Sequence, residues 1–456
     1  MPEPFWYDEA FSFLVARLSW PDLLTATAGD VHPPAYYVLL KLWLMFCGAK
    51  HGDVLPQLNS IEVSARLLSV VTSLVALWLY WRLLKKLQLP SNQAQWAWIL
   101  ACFLPALTYF AVEARMYALL EVFVLAAVLA LWSGRPVIAG MMLAGAMYTQ
   151  NVGIIYTVVI LGVSLLWRPD LWPYCSLAGG IAIALYAPWL PSLMSQVHMT
   201  EAGYWTWPPS LGTVAYMLFC SLFYIMQGSH AGLSSAVMIL VGACVTYGLL
   251  SVKRFVIWAV PMGMVAALFI GSHILGTGML LHRVLVPCAF FIAIAWAGLL
   301  VRKDIGPVLG LLTLAALVYG NYTYFVNGRT GISYALWDDV GVKPGDVIYA
   351  GNSSVVPLLL YTPAMVAVPP IATDKMHAGL SRQTMQALDI PIADLYELEW
   401  DRAWLLLFDT PFTTDEERTY FNDLLVNASL VRDDLGDDMT YEGALWLLEK
   451  SQAAIR

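Results

Sequence analysis

Charge is what this chain has least of. Charged residues make up 12% of its 456 positions and apolar residues 59%, against about 25% and roughly 45–50% in soluble domains. That balance excludes an ordinary soluble globular protein and marks an integral membrane protein. A disulfide framework is absent as well. The six cysteines (Cys47, Cys102, Cys175, Cys220, Cys244, Cys288) all fall in apolar segments and none shows CxxC spacing, so neither a disulfide scaffold nor a thiolate metal site is indicated. Each is expected to be a small buried apolar side chain. No GxGxxG or P-loop pattern occurs, which leaves nucleotide binding without support, and no nucleic acid is expected among the partners. Met1 to Glu9 has neither a basic n-region nor an apolar h-region, so no signal peptide is visible. Internal repeats and low-complexity segments are missing too.

The few charges present are unevenly spread. Residues 330–456 carry 20 Asp/Glu against 8 Lys/Arg, whereas residues 1–329 carry 12 against 16. The tail therefore reads as a soluble acidic domain. Ahead of it, apolar runs near the length needed to cross a bilayer lie at 63–83, 94–112, 114–133, 136–150, 152–167, 172–191, 233–251, 255–275, 284–301 and 305–326, which makes about ten spans. Two further apolar stretches, 35–48 and 211–227, are short or flanked by prolines. Basic residues decide how to treat them, because Lys/Arg-rich loops stay in the cytoplasm. Arg82, Lys85, Lys86, Arg135, Arg168, Lys253, Arg254, Arg302 and Lys303 share one side only if both stretches lie in the interface without crossing. Both chain ends are then expected on the outer face, and a leading helix is expected to be missing, since an outside N-terminus needs a preceding span or signal. The expected division is 1–62, a first outer loop with an interfacial helix and the chemistry-bearing motifs; 63–328, the membrane bundle; and 329–456, an outer soluble domain.

That last segment changes texture. Residues 346–350 (DVIYA) and 403–408 (AWLLLF) predict strands, and 353–361 and 413–426 predict helices. Thr413 or Thr414 with Glu416 or Glu417 suits a capping box. A small α/β domain follows.

The chemistry-bearing residues precede the first span. Trp6, Tyr7, Asp8, Glu9 and Phe11 put an acidic pair among interface-seeking aromatics. A carboxylate there is suited to taking a proton from an acceptor hydroxyl. On a helix Asp8 and Glu9 point about 100° apart, so they are expected to have different roles. Asp30, His32, Pro33, Pro34, Tyr36 and Tyr37 form a stiff turn leading into the 35–48 helix. His32 could serve as a metal ligand or phosphate donor, or be an ordinary turn histidine; Asp30 could equally be only a helix cap. Glu113 and Arg115 sit where two spans meet the outer face. If 113–121 is helical, Glu113, Tyr117 and Glu121 fall on one stripe, which takes Glu121 into the bilayer, where ionisable groups usually face a cavity or a partner. His282 and Arg283 offer a cation at the outer end of another span, against a snorkelling anchor.

Taken in order, WYDEAFS, DVHPPAYYVLLKLW, ARLLSVVTSLVALWLYWRLLKKL and PALTYFAVEARMYALL resemble the GT-C superfamily of polyprenyl-phosphate-sugar glycosyltransferases. The branch is that of protein O-mannosyltransferases and lipid A aminoarabinose transferases. The motifs cover about the first 170 residues, and the later spans match by layout. The resemblance implies a GT-C-like multi-span bundle lacking the family's first helix, with a small C-terminal α/β domain. It implies an inverting transferase of the cell envelope, whose site lies in the first extracytoplasmic loop and whose donor is a dolichyl- or undecaprenyl-phosphate sugar.

Asp8 matches the family's catalytic base, Glu9 completes that motif, and Glu113 matches the second acidic position. Asp30, His32, Tyr36, Arg115, Tyr117, His282 and Arg283 become substrate-binding candidates, with Arg115 and Arg283 for the carrier phosphate. Some members use a divalent metal and others do not; Asp8, His32 and Glu113 are the candidate ligands here. Where the branch often has Lys or His, this chain has Thr149, Gln150 and Asn151. The expected partners are the lipid-linked sugar, membrane lipid and an acceptor whose chemistry the residues leave open. Rival readings are a glycan polymerase or ligase using a diphosphate-linked donor, and a non-enzymatic lipid transporter, which would tolerate Asp8→Asn and depend on Glu121.

Overall fold

The computed structural model describes residues 4–48, 58–201, 208–212, 214, 255–327, 340–351, 355–370, 380–409, 415–433 and 442–450. They divide into two compact units. One comprises Met1–Ala65, Met194–Trp205 and Arg329–Arg456; the other comprises Arg66–Leu193 and Thr206–Gly328.

The first unit opens with α1 (Tyr7–Arg17), α2 (Trp20–Ala28) and α3 (Ala35–Phe46). Asp8 and Glu9 lie in the first turn of α1 and Arg17 in its last, the charge order the helix dipole favours. α2 starts where the Ser19 hydroxyl accepts from the Asp22 backbone N–H at 3.3 Å, with Pro21 in its first turn. α3 begins directly after Pro34. Its Tyr36, Tyr37, Leu40 and Leu44 are buried while Leu42, Met45 and Phe46 are exposed, a one-sided apolar helix of 12 residues that is too short to span a bilayer. The Lys41 ammonium donates to the carbonyls of Ala16 and Leu18 at the end of α1 and lies 5.2 Å from the centre of the Trp20 ring. The Trp43 indole donates to the Ser64 carbonyl at 2.7 Å, tying α3 to the start of α4 (Leu58–Lys86).

The tail forms a five-stranded sheet from β1 (Val347–Ala350), β2 (Met365–Ala367), β3 (Arg402–Asp409), β4 (Ser429–Arg432) and β5 (Glu442–Glu449). The order is β2-β1-β3-β5-β4. β1 pairs in parallel with β2 and β3, and β5 runs antiparallel to β3 and β4. β1 is buried along its whole length, as expected for a central parallel strand. Helices Val355–Tyr361 and Asp415–Leu425 match the expected positions, and Phe421 and Leu424 pack with Tyr349, Leu405 and Trp400 in the core. The suggested caps Thr413 and Thr414 lie outside the described residues.

The stretches Ser60–Lys86 from α4, Pro169–Met199, Phe255–Leu275 and His282–Leu300 are long and apolar enough to cross a membrane; the last two lie wholly in the second unit. The pair α5 (Ser91–Phe103) and α6 (Pro105–Ala111) would add one more span, bent by 49°. The continuous helix expected over 94–112 is therefore broken, because Pro105 forces Leu104 into an extended conformation. Shorter apolar helices α7 (Tyr117–Trp132), α8 (Pro136–Thr149) and α9 (Gly153–Trp167), and the apolar stretch Gly306–Tyr322 of the helix Gly306–Asn327, occupy other expected spans. The stretch 233–251 and nearly all of 211–227 lie outside the described residues. The span expected over 172–191 runs on, as α10 (Trp172–Tyr186) continues through a 3-10 turn into α11 (Leu190–Glu201). α7 and α8 join through Gly134 at φ +69°, a left-handed position suited to glycine. α8 approaches α10 so closely that a side chain at Gly140 would lie 2.7 Å from the Ala178 carbonyl. Near the basic end of α4, Arg82 and Lys85 cover the rings of Trp78 and Trp81 at 5.4 and 5.0 Å. Long cationic side chains often lie this way along an apolar surface.

The expectation for cysteine needs correcting at one position. Cys175 and Cys288 are buried and Cys102 is half-buried, but Cys47 is exposed at the end of α3. Cys220 and Cys244 lie outside the described residues.

Candidate functional site

In the first unit the acidic pair is separated as helix geometry requires. Glu9 is fully buried and Asp8 half-buried. The Ser12 hydroxyl donates to the Asp8 backbone carbonyl at 2.8 Å. Aromatic rings line this end of the unit: Phe5 packs on Phe13 at 5.6 Å, Phe11 on Tyr37 edge-on at 5.8 Å, and Tyr37 on Tyr36 at 5.9 Å. Tyr36 is buried against Tyr37.

Asp30 is not the cap of α3; Pro34 takes that position without a side-chain bond. The Asp30 carboxylate instead accepts from His32 Nδ1 at 2.7 Å. Since an ionised carboxylate only accepts, this contact places a proton on Nδ1 and fixes the ring's orientation. Carboxylate–histidine pairs of this kind hold imidazoles that bind metals or phosphates.

The second unit holds the other candidates. Glu113, Arg115 and Tyr117 are all buried. Residues 113–116 are not helical, however, and α7 begins only at Tyr117. The expected helical stripe through Glu113, Tyr117 and Glu121 is corrected accordingly. The Arg115 N–H bonds the Glu113 carbonyl at 2.7 Å, a tight turn that breaks the helical ladder, and the Ser69 hydroxyl donates to the same carbonyl at 2.5 Å. The Phe110 ring lies 4.6 Å from Tyr117 and 6.4 Å from the His282 imidazole. This brings the turn after α6 beside the single 3-10 turn His282–Leu285, on which Arg283 is half-buried. Glu121 is buried inside α7, and its Oε1 meets no hydrogen-bond donor among the described residues. In the segment where the branch often has Lys or His, the Thr149 hydroxyl bonds the Gly145 carbonyl and Asn151 accepts from the Tyr186 hydroxyl at 3.3 Å.

No protein-family model and no curated protein matches the sequence. Among the solved structures that match, two do so almost end to end. The crystal structure of ArnT from Cupriavidus metallidurans in the apo state aligns over 99% of this chain and 95% of that one, with a TM-score of 0.56 and 12% identity. ArnT from the same organism bound to undecaprenyl phosphate aligns over the same shares, with a TM-score of 0.57 and 11% identity. The fold is the GT-C fold.

Within this GT-C fold, Asp8, Glu9, Asp30, His32 and Tyr36 belong to one compact unit, and Glu113, Arg115, Tyr117, His282 and Arg283 to the other. Among the described residues no group of three or more His, Cys, Asp or Glu could hold a metal ion. Sequence reasoning also passed over Glu62 and Tyr361. The Tyr361 hydroxyl donates to Glu62 Oε1 at 2.6 Å and accepts from the Phe5 backbone N–H at 2.6 Å. Nothing local marks these residues, because they lie 299 positions apart.

Proposed function

We propose that this chain is an inverting glycosyltransferase that moves one sugar from a polyprenyl phosphate to an acceptor hydroxyl at the outer face of a membrane. The observation that carries the reading is the end-to-end likeness to ArnT, one structure of which holds undecaprenyl phosphate. An acidic first turn on α1 among buried aromatics supports it.

In this mechanism the Asp8 carboxylate takes the acceptor's proton as its oxygen attacks the anomeric carbon opposite the phosphate. The new C–O bond forms as the sugar–phosphate bond breaks. The electron pair leaves on the phosphate, and the configuration inverts. Arg115 and Arg283 hold the carrier phosphate and offset the charge that develops on it, because preorganised cations act most strongly where water is excluded. Glu9 and Glu113 orient the acceptor. His32, held by Asp30 through Nδ1, donates to sugar or phosphate from Nε2 when its ring carries both protons; Tyr36, Tyr117 and His282 shape the surrounding walls. The acidic α/β domain shares the outer face.

The test is to incubate the full-length protein in proteoliposomes with a panel of undecaprenyl- and dolichyl-phosphate sugars and to measure released polyprenyl phosphate. Turnover with at least one donor, lost in Asp8→Asn, is expected. Movement of intact lipid-linked sugar across the bilayer without release, unaffected by Asp8→Asn, would mean a transporter.

A further inference from the structure

The acidic pair sits at the very start of α1, where a helix has backbone N–H groups with no intrahelical acceptor. Trp6, the N-cap residue, supplies no side-chain cap. The chain is tied one residue earlier. The Phe5 N–H donates to the Tyr361 hydroxyl at 2.6 Å, and that hydroxyl donates onward to Glu62 Oε1 at 2.6 Å. Phe5 and Glu62 are buried and Tyr361 is half-buried, so the relay is partly shielded from solvent. It links the segment entering α1, the last residue of the Val355–Tyr361 helix in the α/β domain, and the first turns of α4.

A second tie from the same domain reaches α2. The Gln383 amide donates to the Thr25 carbonyl and the Thr384 hydroxyl to the Ala26 carbonyl, each at 3.1 Å. Gly29 lies so close that a side chain there would meet Ser381 Oγ at 2.8 Å. The α/β domain thus grips the entry to α1, just before Asp8, and the exit of α2, just before Asp30 and His32.

We infer that Tyr361 is a positioning residue: its hydroxyl, oriented by Glu62, fixes the first turn of α1 and thereby aims Asp8. The inference rests on the reading of Asp8 as base. Tyrosine is needed because one hydroxyl must accept from Phe5 and donate to Glu62 together, and phenylalanine can do neither. Misplacing a reacting group by about 1 Å can cost about 10²-fold in rate, so the expected effect lies in turnover.

The experiment measures kinetics and melting of the full-length protein for Tyr361→Phe, Glu62→Ala and Glu62→Gln, with Tyr361→Phe repeated in an Asp8→Glu background. Tyr361→Phe and Glu62→Ala should lower kcat by about 10- to 100-fold, with donor KM within about twofold and melting nearly unchanged. Glu62→Gln keeps an acceptor oxygen and should recover most of the rate. In the Asp8→Glu background, where the carboxylate is already displaced, Tyr361→Phe should cost far less. A wild-type kcat in Tyr361→Phe, an equal fold-loss in both backgrounds, or a loss of folded protein at normal kcat would each overturn the inference. Asp8→Asn separates this from a failure of the proposed reaction. If Asp8→Asn is inactive while Tyr361→Phe is normal, only the positioning role falls; if Asp8→Asn turns over normally, the reading of the base falls first.

Discussion

A carboxylate and an arginine have separable duties in the proposed transfer. Asp8→Asn keeps the shape of the side chain and removes only the base, so turnover should fall about 10²–10⁴-fold, the usual worth of general-base catalysis, with donor affinity hardly changed. Arg283→Ala should instead weaken donor binding, because a phosphate loses a charge-assisted partner. Separate measurement of donor binding and sugar transfer on both variants checks the assignment; near wild-type transfer by Asp8→Asn would move the role to Glu9 or Glu113. In the α/β domain, burial pushes the Asp346 carboxyl up, but bonds from Arg402, Trp404 and the Lys343 backbone outweigh it, and the carboxyl is held below the usual range. A carboxyl lowered on folding stabilises fully above its unfolded value, and that contribution is lost as pH falls through the folded one. Asp346→Asn should therefore cost about 1–3 kcal/mol near neutral pH, and the gap from wild type should shrink below about pH 4, as read by denaturation across a pH series.

At the level of elements, α3 shows what length alone makes legible. The apolar run 35–48 forms a helix over Ala35–Phe46, with Tyr36 and Tyr37 packed inward and Phe46 exposed, and its interfacial placement is part of the proposal. Pro33 and Pro34 set its start and the Asp30–His32 turn before it. Replacing both with Ala should reduce turnover several-fold more than it reduces expression, since the turn gains conformational freedom without losing apolar surface. Activity per folded molecule, measured beside membrane insertion, decides this, and normal activity with lost insertion would contradict it. The bend at Leu104 and the turn at Glu113 were not legible in the same way. Apolar periodicity runs through both, and only the clash before Pro105 and the Glu113–Arg115 backbone bond interrupt the helix.

For the whole molecule, the proposed orientation rests on where the basic residues fall. With single cysteines placed on a cysteine-free background, an impermeant reagent applied outside should label Glu399→Cys, exposed in the α/β domain, and leave Lys86→Cys, exposed at the end of α4, unmodified. Labelling of both, or the reverse, would sink the outward placement of the domain.

Composition and patterning determined the class of this protein. Apolar runs of bilayer length and an acidic tail with strand and helix periods pointed to a membrane bundle with a small α/β domain, and the ordered motifs around Asp8, His32 and Glu113 resembled the GT-C superfamily. These are local signals, read from neighbours within one or two turns. Tertiary structure alone decided that Tyr361 bonds Phe5 and Glu62 from across the sequence, that the α/β domain and α1–α3 form one compact unit, and that Phe110 bridges Tyr117 and His282. A hydrogen bond or ring contact between residues hundreds of positions apart leaves no periodicity behind, because its partners meet only after the chain has folded.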